Sequence, residues 1–226
     1  MNVFVAGATG ATGVVLVPLL EGRGHQVWPH VRPATASRHA MGAHPRAVVV
    51  DLADHDALVA ALRGCDAVVS LIGTMRERFG AGDTYASSDV GTTKQLVDAA
   101  RAAGVPRFAL LSSVGAGGSG AYLQAKGEAE DIVRQSGLAW TILRPSALVS
   151  PSQGGEGSHG RRQTPAWLVT AGAAMAGLPL VGGWVDDVRA IPIEVVAGGI
   201  AAALERAPAL DGRVLRGREL WALTGA

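Results

Sequence analysis

The chain contains two tyrosines and two lysines, and one of each falls in the run Tyr122-Leu-Gln-Ala-Lys126. On a helix a spacing of four places both side chains on one face. A lysine ammonium beside a phenol favours the phenolate. A free tyrosine ionises near pH ~10, so a downward shift of a few units gives a proton donor and acceptor usable near neutrality. An ordinary surface helix with a tyrosine on one side accounts for the same spacing. Upstream, an apolar run ends in Leu111-Ser112-Ser113. A serine at the carboxyl end of a buried strand is placed to hydrogen-bond a carbonyl in a strand-end crevice. It is equally suited to capping its own turn.

A second constellation opens the chain, which begins MNVFVAGATGATG. A strand ends at Ala6, a helix begins near Thr12, and Gly7, Gly10 and Gly13 recur at intervals of three between them. Gly7 permits the tight turn out of the strand, Gly10 lets backbone approach a pyrophosphate, and Gly13 lets the helix pack closely. The helix N-terminus offers free N–H groups, and Thr9 and Thr12 add hydroxyls. A glycine triplet is weak by itself in a chain with 31 glycines. Its place between a strand and a helix is what makes it specific.

In NAD-binding versions of this turn an acidic residue at the end of the second strand holds the ribose diol. Here that strand reads QVWPHVRP, with Arg32 at its end and no acid. A guanidinium grips a 2′-phosphate in a forked pair, so NADP (as NADPH) is the expected cofactor. Arg38 is a possible second phosphate contact. Asp51, at the end of the third strand, suits either the adenine amino group or the cap of the next helix. Lys126 is also suited to the nicotinamide ribose.

The elements that must carry these groups alternate along the first half. Apolar, β-rich runs occur at 2–6, 26–31, 47–50, 67–71, 108–111 and 140–143, with helical stretches at 12–21, 56–62, 87–103 and 122–135. Strands apolar on both faces that alternate with helices form a buried parallel sheet. The expected fold is therefore α/β, a Rossmann-type doubly wound parallel sheet with helices on both faces and a short C-terminal substrate-side extension. Gly22, Gly104 and Gly137 are expected just past helix ends. A further helix is expected at 193–206, then a short strand and a tail packed on the sheet. The length of 226 residues suits one such domain.

These pieces together resemble the short-chain dehydrogenase/reductase superfamily, in particular its atypical branch of small NAD(P)H-binding proteins. They are GATGATG, the Arg32 position, SLIGT at 70–74, GTTKQLVDAARAAGVPRFALLSSVGA at 91–116, YLQAKGEAE at 122–130 and WTILRPSAL at 140–148. Within that branch SLIGTMRERFGAG and YLQAKGEAE are similar to the subgroup of Tat-interactive-protein oxidoreductases. The likeness implies that Gly7, Ala8, Thr9, Gly10, Ala11, Thr12 and Gly13 hold the pyrophosphate and Arg32 the 2′-phosphate. Asp51 and Leu52 would flank adenine. Leu71, Ile72 and Gly73 would line the adenosine ribose and nicotinamide side, and Pro145 and Ser146 would border the nicotinamide. Tyr122 would be the proton donor, Lys126 its partner, and Ser113 or else Ser112 would polarise the carbonyl. The serine-to-tyrosine gap of nine or ten residues is shorter than in the best-known members.

The rest of the sequence narrows the function class. A net charge of +1 with 4% aromatics gives no basic stripe for nucleic acid. The six histidines show no ligand spacing, and no serine sits in a nucleophile elbow. Cys65 reads as a buried core residue, and a lone cysteine fits a reducing cytosol. The N-terminus shows no signal-peptide pattern, so a cytoplasmic setting is expected. Residues 150–163 read as a loop. Residues 163–185 carry no charge but contain prolines and glycines, so they read as a lid over an apolar substrate pocket or as a partner-contacting surface, with Trp167 and Trp184 near the two ends, rather than as a membrane span. The expected function is NADPH-dependent reduction of a small apolar carbonyl or quinone-like substrate by a monomer or homodimer. The alternative is a non-catalytic NADP(H)-binding sensor or scaffold of the NmrA-like type.

Overall fold

The computed structural model describes residues 1–73, 86–149, 187 and 189–225. In chain order it comprises β1 (Asn2–Ala6), α1 (Gly13–Gly22), β2 (Gln26–Val31), α2 (Pro33–Ala36), β3 (Val48–Val49), α3 (His55–Leu62) and β4 (Ala67–Ser70). A π-helical turn (Ala86–Gly91) leads into α4 (Thr92–Ala103), followed by β5 (Arg107–Leu111), α5 (Ala121–Arg134) and β6 (Ala139–Arg144). The chain closes with β7 (Leu148–Val149), β8 (Ile191–Pro192), α6 (Ile193–Glu205), β9 (Arg213–Arg216) and α7 (Gly217–Thr224).

Seven strands pair in parallel in the order β3-β2-β1-β4-β5-β6-β9. The expected doubly wound fold is thus present. Alternation along β1 shows how the sequence builds it. Val3 and Val5 join Leu16, Val17 and Leu20 of α1, Val196 and Ile200 of α6 and Leu220 of α7. Phe4 and Ala6 join Leu58 and Leu62 of α3, Leu96 and Ala100 of α4 and Ala129 and Val133 of α5. With both faces covered, the strands need no polar positions. The chain winds from β1 out to β3, then returns to place β4 on the other side of β1. Strand order reverses between β1 and β4, which opens a crevice at their carboxyl ends.

Several local expectations change. Gly22 ends α1 itself, and the left-handed position is taken by Gly24 at φ +82°. Gly104 does cap α4, at φ +74°, and Gly137 also has positive φ. The 87–103 helix begins as the π-helical turn, and the 47–50 strand shrinks to two residues. The short strand near the C-terminus is β9, but the tail after it is the helix α7. Its entry is capped where the Arg216 amide donates to the Glu219 carboxylate at 2.8 Å. The arginines at 213, 216 and 218 interrupt any apolar period there, so the sequence hides two turns of helix.

Among the described residues no helix is long and apolar enough to cross a membrane. The expected loop and lid at 150–185, with Trp167 and Trp184, lie outside the described residues, as does Thr74.

Candidate functional site

The glycine turn leaves β1 at Gly7, whose φ of +85° is open to glycine at little cost. A Cβ there would also lie 3.1 Å from the Leu71 carbonyl carbon and 3.2 Å from the Ile72 nitrogen. The Leu71 amide donates to the Ala6 carbonyl at 2.9 Å, so the exits of β1 and β4 are sewn together at the switch point. The Gly10 amide closes the turn on the Gly7 carbonyl at 3.0 Å. At Gly13 a Cβ would sit 2.5 Å from the Gly7 oxygen and 2.6 Å from Ala8 backbone atoms. Gly10 is different: it is exposed, and the nearest neighbour of its Cβ is the Gly7 oxygen at 3.3 Å. The fold itself requires Gly7 and Gly13, whereas Gly10 keeps the outer side of the turn bare. We therefore expect Gly13→Ala to cost about 1–3 kcal/mol through overpacking against backbone. A urea-unfolding midpoint unchanged from the parent protein would contradict this.

The amino end of α1 fits an anion. No backbone carbonyl among the described residues accepts from the Ala11, Thr12 or Gly13 amides. The Thr12 side chain makes no cap bond, and no acid occupies the first turn. Unused N–H groups and the positive end of the helix dipole therefore meet beside bare Gly10. Ala8 is fully buried and Thr9 half-buried, so they offer backbone more than surface.

At the ends of β2 and β3 stand the residues that could distinguish cofactors. Arg32 is exposed, and its carbonyl accepts from the Thr35 and Ala36 amides at 2.8 and 3.1 Å. Its guanidinium makes no hydrogen bond or ion pair among the described residues, so the charge is open to a ligand. Arg38 instead folds back to donate to the Ala34 carbonyl at 2.5 Å. Asp51 is exposed and accepts from the Ala53 amide at 3.0 Å. The cap of α3 is Asp54, which accepts from Ala57 at 3.1 Å, so the capping role open to Asp51 is filled by its neighbour. Leu52 is buried in the core. Beneath Arg32, His30 is 3% exposed and its Nε2 donates to the Val50 carbonyl at 3.0 Å. Burial pushes its pKa down; the Val50 bond opposes this, the Arg32 charge reinforces it and Asp51 opposes it, leaving a net lowering.

On the other side of the switch point, Tyr122 and Lys126 lie one turn apart on α5. The Lys126 ammonium is 5.9 Å from the Tyr122 ring centroid. It is also 2.6 Å from an oxygen of Asp89, in the π-helical turn before α4, and the two side chains are 6% and 1% exposed. A Cβ on Gly73 would lie 2.5 Å from the Lys126 nitrogen. The loop after β4, already joined to the glycine turn, is therefore in contact with Lys126 as well. The structure brings Gly7, Leu71, Ile72, Gly73 and Lys126 together, while Arg32 and Asp51 stand at the exits of the outer strands.

The serines separate. Ser112 is buried, and its hydroxyl donates to Glu130 Oε1 at 2.5 Å. Ser113 is half-buried and donates to the Val114 carbonyl at a long 3.3 Å. Ser112 thus commits its proton to the protein, while the Ser113 hydroxyl is only weakly held. Glu130 also receives the forked Arg144 guanidinium at 2.7 and 2.6 Å and Arg134 at 2.6 Å. Burial pushes its carboxyl pKa up, but the hydrogen bonds from Arg144 and Ser112 and the charges of both arginines outweigh that, and the net shift is downward. Arg144 is raised in turn, chiefly by its hydrogen bonds to Glu130. The Val114 amide donates to the Pro145 carbonyl at 2.8 Å, and the Ser146 hydroxyl donates to the Arg189 carbonyl. The exits of β5 and β6 are thereby tied to each other and to the chain entering β8.

Sequence reasoning missed Asp89, Glu130 and Arg144. Glu130 had a signal, since 122, 126 and 130 continue one helix face at intervals of four. Cys65, 8% exposed, lies in the core as expected, and burial with the Asp66 charge pushes its thiol up to about 11.

A doubly wound parallel sheet with a glycine turn and an open helix N-terminus at its switch point defines a Rossmann-type dinucleotide-binding protein. A family model described as NAD(P)H-binding matches residues 7–167, and the chain belongs to that family. It is similar to a 3-diazoavenalumate denitrifying reductase of Streptomyces sp, 31% identical over 91% of this chain and 72% of that protein. Protein HTATIP2 of Rattus norvegicus is 33% identical over 67% of this chain and 64% of its own length. That agrees with the atypical short-chain dehydrogenase/reductase resemblance drawn from the motifs. A solved short-chain dehydrogenase/reductase superfamily protein from Agrobacterium tumefaciens, with bound NAD, shares the fold. Its TM-score is 0.67 at 20% identity, over 100% of this chain and 81% of that one. The chain spans 59% of the first curated relative it matches and 72% of the next two. Relatives with chloroplastic and mitochondrial names occur, so family membership does not assign the cytoplasm expected from the sequence.

Proposed function

We propose that the protein is an NADPH-dependent oxidoreductase that reduces a small, fairly apolar carbonyl or quinone-like molecule. The observation that carries this is the buried Lys126 ammonium, one turn from Tyr122 and against Gly73, in the same crevice as the glycine turn. The residues fit the cofactor. Gly7, Ala8, Thr9, Gly10, Ala11, Thr12 and Gly13 hold the pyrophosphate with backbone N–H groups and two hydroxyls. Arg32 holds the 2′-phosphate, Asp51 and Leu52 flank adenine, Leu71 to Gly73 line the ribose and nicotinamide side, and Pro145 and Ser146 border the ring. NADPH held there would supply the hydride for a carbonyl carbon. Tyr122 gives its proton to the carbonyl oxygen, Lys126 favours the phenolate left behind, and Ser113 donates a hydrogen bond to the same oxygen. The reductase named among the relatives supports this class of chemistry. The active unit is a monomer or homodimer acting on a small molecule, without nucleic acid and apart from the membrane.

The test is a pair of fluorescence titrations, with NADPH and with NADH, beside NADPH oxidation on a panel of aldehydes, ketones and quinones. Arg32→Ala is expected to weaken NADPH about 10–100-fold, the worth of a charge-assisted hydrogen bond, and to leave NADH nearly unchanged. Equal losses for both cofactors would remove Arg32 from the phosphate. No preference for NADPH in the parent protein would remove the NADP assignment.

A further inference from the structure

Among the seven strands of the main sheet β3 is the shortest, and it stands at one edge. Its register with β2 is two residue pairs, His30 with Val48 and Val31 with Val49. Strands usually run about 3–10 residues, so this ladder alone gives the two strand exits little hold on each other. Arg32 follows β2 directly, and Asp51, proposed above to flank adenine, lies two residues past β3. A side chain adds the next rung. His30 Nε2 donates to the Val50 carbonyl at 3.0 Å, beyond the last ladder pair and one residue before Asp51. A carbonyl only accepts, so Nε2 carries the proton. The ring has little room to turn, since it is buried and Phe4 of β1 lies tilted beside it, the centroids 5.9 Å apart. Burial lowers its pKa, which keeps it neutral, and the charges of Arg32 and Asp51 both reach it. The turn after Val50 is closed on itself. The Asp51 carboxylate accepts from the Ala53 amide and the Asp51 carbonyl from the Asp54 amide, each at 3.0 Å. That turn therefore moves as a unit, and the His30 bond ties it to β2. A leucine would fill the same space but leave the Val50 carbonyl without this donor.

We propose that His30 is a positioning residue for the adenosine end of NADPH: through Val50 it fixes the spacing of Asp51 and Arg32, and with it the preference for a 2′-phosphate. It acts on the cofactor only through those two side chains. The proposal rests on the reading above that Arg32 and Asp51 meet this end of the cofactor, and it adds the group that sets them apart at the right distance.

The test is calorimetric titration with NADPH, NADH and adenosine 2′,5′-bisphosphate, which carries the adenosine end without the nicotinamide, on protein shown to be folded by circular dichroism. The variants are His30→Leu, which lacks the donor, His30→Gln, whose amide can place a donor where Nε2 stands, Arg32→Ala, and His30→Leu combined with Arg32→Ala. His30→Leu is expected to weaken NADPH and the bisphosphate about tenfold, the worth of one hydrogen bond, and NADH no more than about threefold. His30→Gln should stay within about threefold of the parent protein for every ligand, because the hydrogen bond is restored. In the Arg32→Ala background His30→Leu should weaken NADPH no more than it weakens NADH, since the two changes act on one contact.

A histidine that serves only the fold would weaken NADPH and NADH by the same factor when replaced by leucine, and that result would overturn the proposal. So would a His30→Gln variant as weak as His30→Leu, because the bond to Val50 would then not matter. If Arg32→Ala weakens NADPH selectively while His30→Leu leaves it unchanged, the His30 proposal fails and the Arg32 reading stands. If Arg32→Ala does not discriminate between NADPH and NADH, that reading falls and His30 falls with it. Should His30→Leu fail to fold, His30→Met takes its place. If neither folds, the histidine is needed by the core rather than by the cofactor, which also overturns the proposal.

Discussion

Glu130→Ala is expected to destabilise the fold by about 3–5 kcal/mol, the cost of breaking a buried ion pair by removing one partner. Glu130 has no exposed side-chain surface and accepts from Ser112, Arg144 and Arg134 at 2.5–2.7 Å. Its loss leaves the Arg144 guanidinium, 20% exposed, and the buried Ser112 hydroxyl without their acceptor. Arg134, 32% exposed, can turn to water or keep Asp131 at 3.0 Å, so it adds little. Glu130→Gln preserves the shape but not the charge and should fall between. The pH dependence follows in sign. A carboxyl held below its ordinary value of 4.5 contributes stability that is present above that value and lost as pH falls through the folded-state pKa. Urea midpoints of the parent protein should therefore drop on acidification below about pH 4, with a smaller drop in Glu130→Gln. A parent and variant that lose stability in parallel over that window would show that Glu130 is not the titrating group.

The cluster also shows what could be read from the residues and what could not. The glycine turn was legible because its constraints are local: a positive φ at Gly7 and a backbone contact at Gly13 follow from seven consecutive residues. Strands apolar on both faces likewise gave the parallel sheet, since a strand such as β1 can bury Val3 and Phe4 on opposite faces only between two helical layers. Glu130 looked like one more charge in GEAEDIVR, where Glu128, Glu130 and Asp131 are alike in composition. Which of them points inward is a matter of helix phase, and Tyr122 and Lys126 had already set that phase. Asp89 was beyond this reasoning. The helical stretch expected at 87–103 puts it in an ordinary first turn, and the π-helical turn that sets it against Lys126 leaves no mark in the residue types. Serine order was hidden too. Ser112 and Ser113 are neighbours just past the end of β5, and residue type does not say that one hydroxyl meets Glu130 while the other stays half-buried and weakly held by the Val114 carbonyl.

Tyr122→Phe is expected to lower turnover by about 10²–10⁴-fold on any carbonyl or quinone that the parent protein reduces, the usual worth of a positioned general acid. Only an oxygen is lost. The phenyl ring can keep its place on the half-buried face of α5, and the Lys126 ammonium 5.9 Å from its centroid keeps Asp89 as its partner. NADPH affinity should therefore stay within about twofold of the parent value, since nothing that holds the phosphates or ribose has changed. Loss of turnover with retained binding separates the proton from the cofactor. Lys126→Met should instead weaken both, because the proposed roles set the same ammonium against the ribose and the phenol. If Tyr122→Phe still reduces the substrate at the parent rate, the proton comes from elsewhere and the Tyr122 assignment fails, although the dinucleotide site formed by Gly7, Gly10, Gly13 and Arg32 would stand. If it loses NADPH affinity as steeply as turnover, the hydroxyl is binding the cofactor rather than serving the carbonyl.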